Sequence, residues 1–129
     1  MLSNGSDSLT IINFWATWCK PCVRELPIFE KAKEKLKGKK VRFWLVSLDF
    51  ADQKESRLDP FLVKRKIFSP VFLLDEVNYD EWIPMIDPTW EGAIPVTLFV
   101  NNSKNQRKFV NGELSLEKLI EIISSHLEP

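Results

Sequence analysis

Cysteine is scarce in this chain of 129 residues, which holds two, along with a single histidine. Two cysteines cannot staple a small disulfide-rich scaffold, and a domain of this length needs no such staple. One thiol pair plus His126, far away near the other terminus, also falls short of a four-ligand zinc site, so no metal centre is expected. An excess of either charge is lacking as well. Eighteen basic and eighteen acidic side chains leave a formal net charge of zero, which gives no footprint for nucleic acid or an anionic membrane. The runs KAKEKLKGKK and VKRKIF read as solvated helix faces. No stretch approaches the roughly 18 apolar residues of a membrane span. A charged start followed by an apolar run, the mark of a signal peptide, is missing too. There is no internal repeat and no low-complexity segment.

What is present fits one soluble domain with a real core, since apolar residues make up 44% of the chain and charged residues 28%. Residues 1–8, MLSNGSDS, read as a disordered or appended lead, and residues 9–129 as the domain. LTIINFWA (9–16) is a short apolar run rich in β-branched and aromatic residues, the pattern of a buried central strand. From Cys19 a helical spacing takes over, with Val23, Leu26, Phe29, Ala32 and Leu36 on one face, Pro27 inside and Gly38 past the end. VRFWLVSLD (41–49) predicts a second parallel strand. DPFLVKRKI predicts a helix with Asp59 as cap and Pro60 in its first turn. PVFLLD (70–75) is a short strand, and NYDEWIPMID holds a short helix. IPVTLFV (94–100) and QRKFVN (106–111) form a hairpin. SLEKLIEIISSHL closes the chain as a helix capped by Ser115, burying Leu119, Ile120, Ile122, Ile123 and Leu127. This order describes a mixed sheet flanked by helices, an α/β sandwich.

Both cysteines lie within NFWATWCKPC (13–22), three positions apart. Metal binding, a coincidental inert pair and a redox centre are the readings open to such a pair. The redox reading has local physics behind it. Cys19 falls where strand gives way to helix, and the unpaired N–H groups and positive dipole end of a helix N-terminus stabilise a thiolate. Lys20 adds a neighbouring cation. Cys22, one turn on, is the more buried thiol. Cys19 would then attack a substrate disulfide and Cys22 would resolve the mixed disulfide. Pro21 between them narrows the backbone choices and so biases the balance of oxidised and reduced forms.

FWATWCKPC followed by RELP resembles the thioredoxin superfamily, and within it the TlpA/ResA-type thiol–disulfide oxidoreductases. The similarity rests on Trp18 to Cys22, on Glu25 and Pro27 beyond the second cysteine, and on Ile94–Pro95 in GAIPVT, and it covers the chain from Leu9 to Leu127. It implies a thioredoxin-like three-layer α/β/α sandwich with a mixed central sheet and shortened N-terminal elements, since only eight residues precede the first strand. It implies that residues 50–75 hold the insertion typical of TlpA-like members. It also implies a cis bond at Pro95, where composition alone favours trans, with the Ile94 backbone turned toward an extended substrate beside Cys19. Thioredoxins proper place an acid where this chain has Asn13, so Glu25 becomes the candidate for proton transfer to and from Cys22. The competing reading makes Glu25 a surface residue paired with Lys or Arg at helical spacing.

The expectation is a monomeric protein thiol–disulfide oxidoreductase with Cys19, Cys22 and Glu25 as catalytic residues. Trp18, Lys20, Pro21, Ile94 and Pro95 would meet the substrate. The resemblance implies no bound cofactor, protein dithiols or disulfides as substrates, an upstream redox partner, reductase direction, and a place outside the bacterial cytoplasm. Trp15 should pack in the core or against the active-site loop, and Trp18 should lie on the exposed rim. Trp82 and Trp90 either line a substrate groove or cover the sheet. Two rivals stand beside this reading. A peroxiredoxin-like peroxidase would want a lone thiol behind a threonine-bearing loop. A redox-sensing or redox-inert binding module would use the groove beside Pro95 without turnover.

Overall fold

The computed structural model describes residues 8–67, 69–74 and 79–127. Apart from Ser8, the expected lead lies outside the described residues. Among the described residues, five strands and four α-helices follow in chain order: β1 (Leu9–Trp15), α1 (Lys20–Lys35), β2 (Val41–Ser47), α2 (Asp59–Lys64), β3 (Val71–Leu73), α3 (Tyr79–Ile86), β4 (Val96–Asn101), β5 (Gln106–Asn111) and α4 (Leu116–Leu127).

The strands form one sheet in the order β3-β2-β1-β4-β5. β1 runs parallel to β2, and β2 to β3, whereas β4 is antiparallel to both β1 and β5. All seven residues of β1 are buried, because helices cover both faces and neighbouring strands cover both edges. Side chains alternate across the sheet. Leu9 and Ile11 join Phe29 and Ala32 of α1 and Leu119, Ile122 and Ile123 of α4 on one face. Trp15 continues that face, packed with Leu26, Leu58 and the half-buried Phe61 of α2. Ile12 and Phe14 point the other way, to Trp90 and the half-buried Trp82, Ile83 and Ile86. Three layers result, with α1, α2 and α4 on one side and α3 on the other: the thioredoxin-like sandwich expected from the motifs.

Most boundaries agree with the sequence pattern to within two residues. α1 runs through Pro27 without a break, losing the hydrogen bond that a proline cannot donate. Past its end Gly38 adopts φ +87°, a conformation that favours glycine. Ser115 Oγ accepts the Lys118 N–H at 3.1 Å, the capping bond expected of it. The cap predicted for α2 is different. Residues Lys54–Leu58 already coil in a π-helical turn, so Leu58 enters α2 with helical dihedrals and no side-chain cap. The Asp59 carboxylate, freed from capping, meets Lys54 Nζ at 3.0 Å.

Trp90 is almost fully buried. Its ring packs against Phe14, Trp82 and Phe109, and its Nε1–H donates to the Ala93 carbonyl at 2.7 Å. Of the two roles open to this tryptophan, covering the sheet is the one it takes.

Candidate active site

The site is built where β1 ends. Trp15 closes the strand, a short turn carries Thr17 and Trp18, and Cys19 caps α1 in an extended conformation, φ −100° and ψ 104°. A sulfur in the cap position replaces the usual oxygen, and the Cys22 N–H donates to Cys19 Sγ at 3.3 Å. Pro21 occupies the first turn, where no backbone donor is needed. The two sulfurs are joined as a disulfide. Cys19 retains 7% of its surface and Cys22 none, so only Cys19 can be reached by another molecule. Trp15 is buried and Trp18 exposed, as their places in the motif predict.

The Ile94–Pro95 bond is cis. Its loop, leading into β4, sets the Ile94 carbonyl oxygen 3.8 Å from Cys19 Sγ. Residues 75 positions apart in sequence thus meet at Cys19 Sγ. Lys20, the first residue of α1, is exposed, and lines a shallow groove with Arg65 on one flank of Cys19. Trp18 and Ile94 line a larger groove of about 380 Å³ on the other flank. Neither Trp82 nor Trp90 lines it.

Glu25 is not the surface residue of the competing reading. It is fully buried, its Oε1 accepting Asn13 Nδ2 at 2.9 Å and its Oε2 accepting the Leu114 N–H at 2.6 Å. Among the described residues its hydrogen-bond partners are neutral, and the neighbouring Arg24 turns outward to Glu113, with N–O distances of 2.7 and 2.8 Å. Burial pushes the Glu25 carboxyl up to about 7, against the opposing pull of the Leu114 and Asn13 hydrogen bonds. A group balanced there can hold or release a proton near neutrality. Glu113 moves the opposite way, held below its ordinary value by Arg24.

One part of the site carries little signal in the sequence. Asp49, just beyond β2, is buried and grips the turn before Cys19. Its Oδ1 accepts Thr17 Oγ1–H at 2.6 Å, and its Oδ2 accepts the Thr17 N–H at 3.1 Å and Ser47 Oγ–H at 2.6 Å. Arg57, from the π-helical turn, donates Nε–H to the same Thr17 Oγ1 at 2.8 Å. The sequence signal was an aspartate closing an apolar strand, VSLD, and it names no partner.

A mixed sheet with a Cys-x-x-Cys disulfide across a helix N-terminus, opposed by a proline loop, defines a thioredoxin-fold protein with a thiol–disulfide site. Residues 1–108 match the AhpC/TSA family, and the chain belongs to that family. It is 31% identical over 118 residues to the thiol-disulfide oxidoreductase ResA of Oceanobacillus iheyensis, an alignment that covers 92% of this chain. That stretch is 57% of the relative, so the chain spans little more than half its length. Among solved structures, a thioredoxin-related protein from Neisseria meningitidis serogroup B superposes with TM-score 0.81 at 24% identity, covering 98% of this chain and 90% of the other. StoA from Bacillus subtilis superposes with TM-score 0.69 at 25% identity, covering 92% and 84%.

Proposed function

We propose that this chain is a protein thiol–disulfide oxidoreductase acting through Cys19 and Cys22. One observation carries the reading: the more accessible sulfur of the pair caps a helix N-terminus and lies 3.8 Å from a peptide carbonyl beside Pro95. In the reduced chain, helix N–H groups stabilise the Cys19 thiolate. That thiolate attacks one sulfur of a substrate disulfide, and the other substrate sulfur leaves and takes a proton. Cys22, once deprotonated, attacks Cys19 Sγ, closing the protein disulfide and releasing the second substrate thiol. Two electrons pass to the substrate, and an upstream dithiol must return them. Exchange between sulfurs calls for no bound cofactor.

Glu25, one helical turn beyond Cys22 and buried at a carboxyl value near 7, is the group we assign to the Cys22 proton. Trp18, Pro21, Ile94 and Pro95 surround the sulfur as substrate contacts, and Lys20 as a cation on its flank. Reductase direction, action as a monomer and a location outside the cytoplasm follow from the resemblance to TlpA/ResA-type proteins, as does the assignment of residues 50–75 to their insertion within a domain spanning 9–129. Among the described residues no helix is long and apolar enough to cross a membrane. The peroxidase alternative is not favoured, since Cys22 stands within disulfide reach of Cys19 and the matched relative is a thiol-disulfide oxidoreductase.

The test is the equilibrium reduction potential of the pair against glutathione, followed by tryptophan fluorescence. A reversible titration toward the thioredoxin end, about −270 mV, is expected for a reductase. A value near −120 mV would reverse the direction. No titration would leave the fold as a binding module, a reading that Cys19→Ser would then support by sparing partner binding.

A further inference from the structure

The larger groove beside Cys19 has a composition that the exchange chemistry does not require. Three of its walls are aromatic side chains that solvent reaches easily, Trp18 at 52%, Phe50 at 56% and Tyr79 at 40% exposure. Apolar rings gathered in one groove and left open to solvent are a mark of a binding surface. Gly92 shapes its floor: a Cβ there would meet Ile83 Cδ1 at 3.3 Å, and its φ of +96° is one that side chains rarely adopt. Ile94 connects the groove to the reactive sulfur through its carbonyl.

Its charge is of one sign. Asp80, in the first turn of α3, and Glu91, beside Gly92, line the groove, and no lysine or arginine lines it among the described residues. Lys20, Arg24 and Arg65 line the separate shallow groove instead, and Arg57 is held at Thr17, which lines that groove too. The whole chain is neutral, so this separation is local to the site. A wall of aromatic rings with carboxylates at its rim suits a polypeptide that offers an apolar residue and a cation together. Lysine and arginine do this well, because their stems lie on apolar surface while the charged head reaches the carboxylates.

We infer that the groove formed by Trp18, Phe50, Tyr79, Asp80 and Glu91 selects cysteines lying in extended, basic polypeptide segments, with a lysine or arginine close to the reacting sulfur. The inference rests on Cys19 being the nucleophile and adds a substrate class to it. Opposite fields on the two flanks also set a direction: the basic side of the substrate lies over the groove and its neutral or acidic side over Lys20. Attraction at an open rim acts mainly on the encounter, so it is read in the second-order rate and fades with salt.

The experiment mixes pre-reduced chain, freed of reductant, with disulfide-bonded peptides in single-turnover stopped flow, so that no other electron source is needed. Three peptides carry Leu-Lys, Leu-Ser or Leu-Glu next to the disulfide and are otherwise identical; neutral 2-hydroxyethyl disulfide is the control. The lysine peptide should react roughly five- to tenfold faster than the glutamate peptide at low ionic strength, with the serine peptide between, and the ratio should approach one in about 0.5 M salt. In Asp80→Asn combined with Glu91→Gln, the lysine-to-glutamate ratio should fall to near one at low salt. Equal rates for all three peptides in the unaltered chain, with the control reduced normally, would overturn the substrate class alone. Failure to reduce the control as well would overturn the oxidoreductase reading and this inference with it.

Discussion

Asn13 on β1 and Glu25 on α1 meet behind the cysteine pair, Nδ2 to Oε1 at 2.9 Å, in a place neither shares with solvent. Asn13 Nδ2 also lies 3.2 Å from Thr97 Oγ1. The amide cannot take a proton, so the titrating group of this buried set is the carboxyl. Its rise to about 7 from an ordinary 4.5 has burial as its largest cause.

That rise gives a pH dependence with a definite sign. Between the unfolded value of 4.5 and about 7, the folded chain keeps a proton that the unfolded chain has lost. The stability so gained is complete below pH 4.5 and disappears as pH climbs through 7, an effect of about 3 kcal/mol for a shift of this size. Urea midpoints should therefore fall between pH 5 and 8, and Glu25→Gln should flatten the curve. A midpoint that rises over this window would return the carboxyl to its ordinary range.

The same group should appear in kinetics. If Glu25 handles the Cys22 proton, release of the mixed disulfide should follow an apparent pKa near 7, read in single turnover from pH 5 to 9. Glu25→Gln should remove that inflection and slow the step about 10- to 100-fold, in the usual range for a lost proton carrier. An unchanged inflection in the variant would assign it to another group.

Cys19→Ser should abolish exchange. Cys22→Ser should instead trap the covalent intermediate, seen by mass spectrometry as the chain plus one substrate thiol. Trapping by the other cysteine would reverse the assigned roles, against the finding that Cys22 has no exposed surface.

Asp49→Ala would leave Thr17 N–H and the Ser47 hydroxyl without their acceptor in a buried turn. The expected loss is about 2–3 kcal/mol in chemical denaturation, with slower attack by Cys19 because the turn that carries it loosens. Thr17→Val should cost less, since it keeps the backbone N–H bond. An equal loss from both would place the energy in the hydroxyl alone.

Trp90→Ala should cost about 3–5 kcal/mol, as expected for removing a large buried ring, because Phe14, Trp82 and Phe109 all pack on it. Trp90→Phe should cost less than half as much. Denaturant midpoints measure both. A negligible loss in the alanine variant would mean that Trp90 contributes little to holding this face of the sheet.

Local chemistry determines much of this protein. The apolar run of β1, the 3.6-residue spacing of α1 and α4, and the turn residues between β4 and β5 act over short distances, so their elements are legible residue by residue. The spacing of Cys19 and Cys22 confines both sulfurs to one helical turn, and the motif around them, with Ile94–Pro95 far downstream, resembles a known constellation closely enough to indicate the fold. Tertiary structure alone decided what surrounds them. Glu25 has a surface-like sequence context, and only the arrival of Leu114, 89 positions later, and of Asn13 on the central strand buries it. Asp49 reaches Thr17 across 32 positions because β2 lies beside β1 in parallel register, Ser47 opposite Trp15. Trp90 reads equally well as groove or core until α3 closes over it. In each case burial is set by which strand becomes the neighbour, and a carboxylate's proton affinity follows from that burial rather than from the residues beside it in the chain.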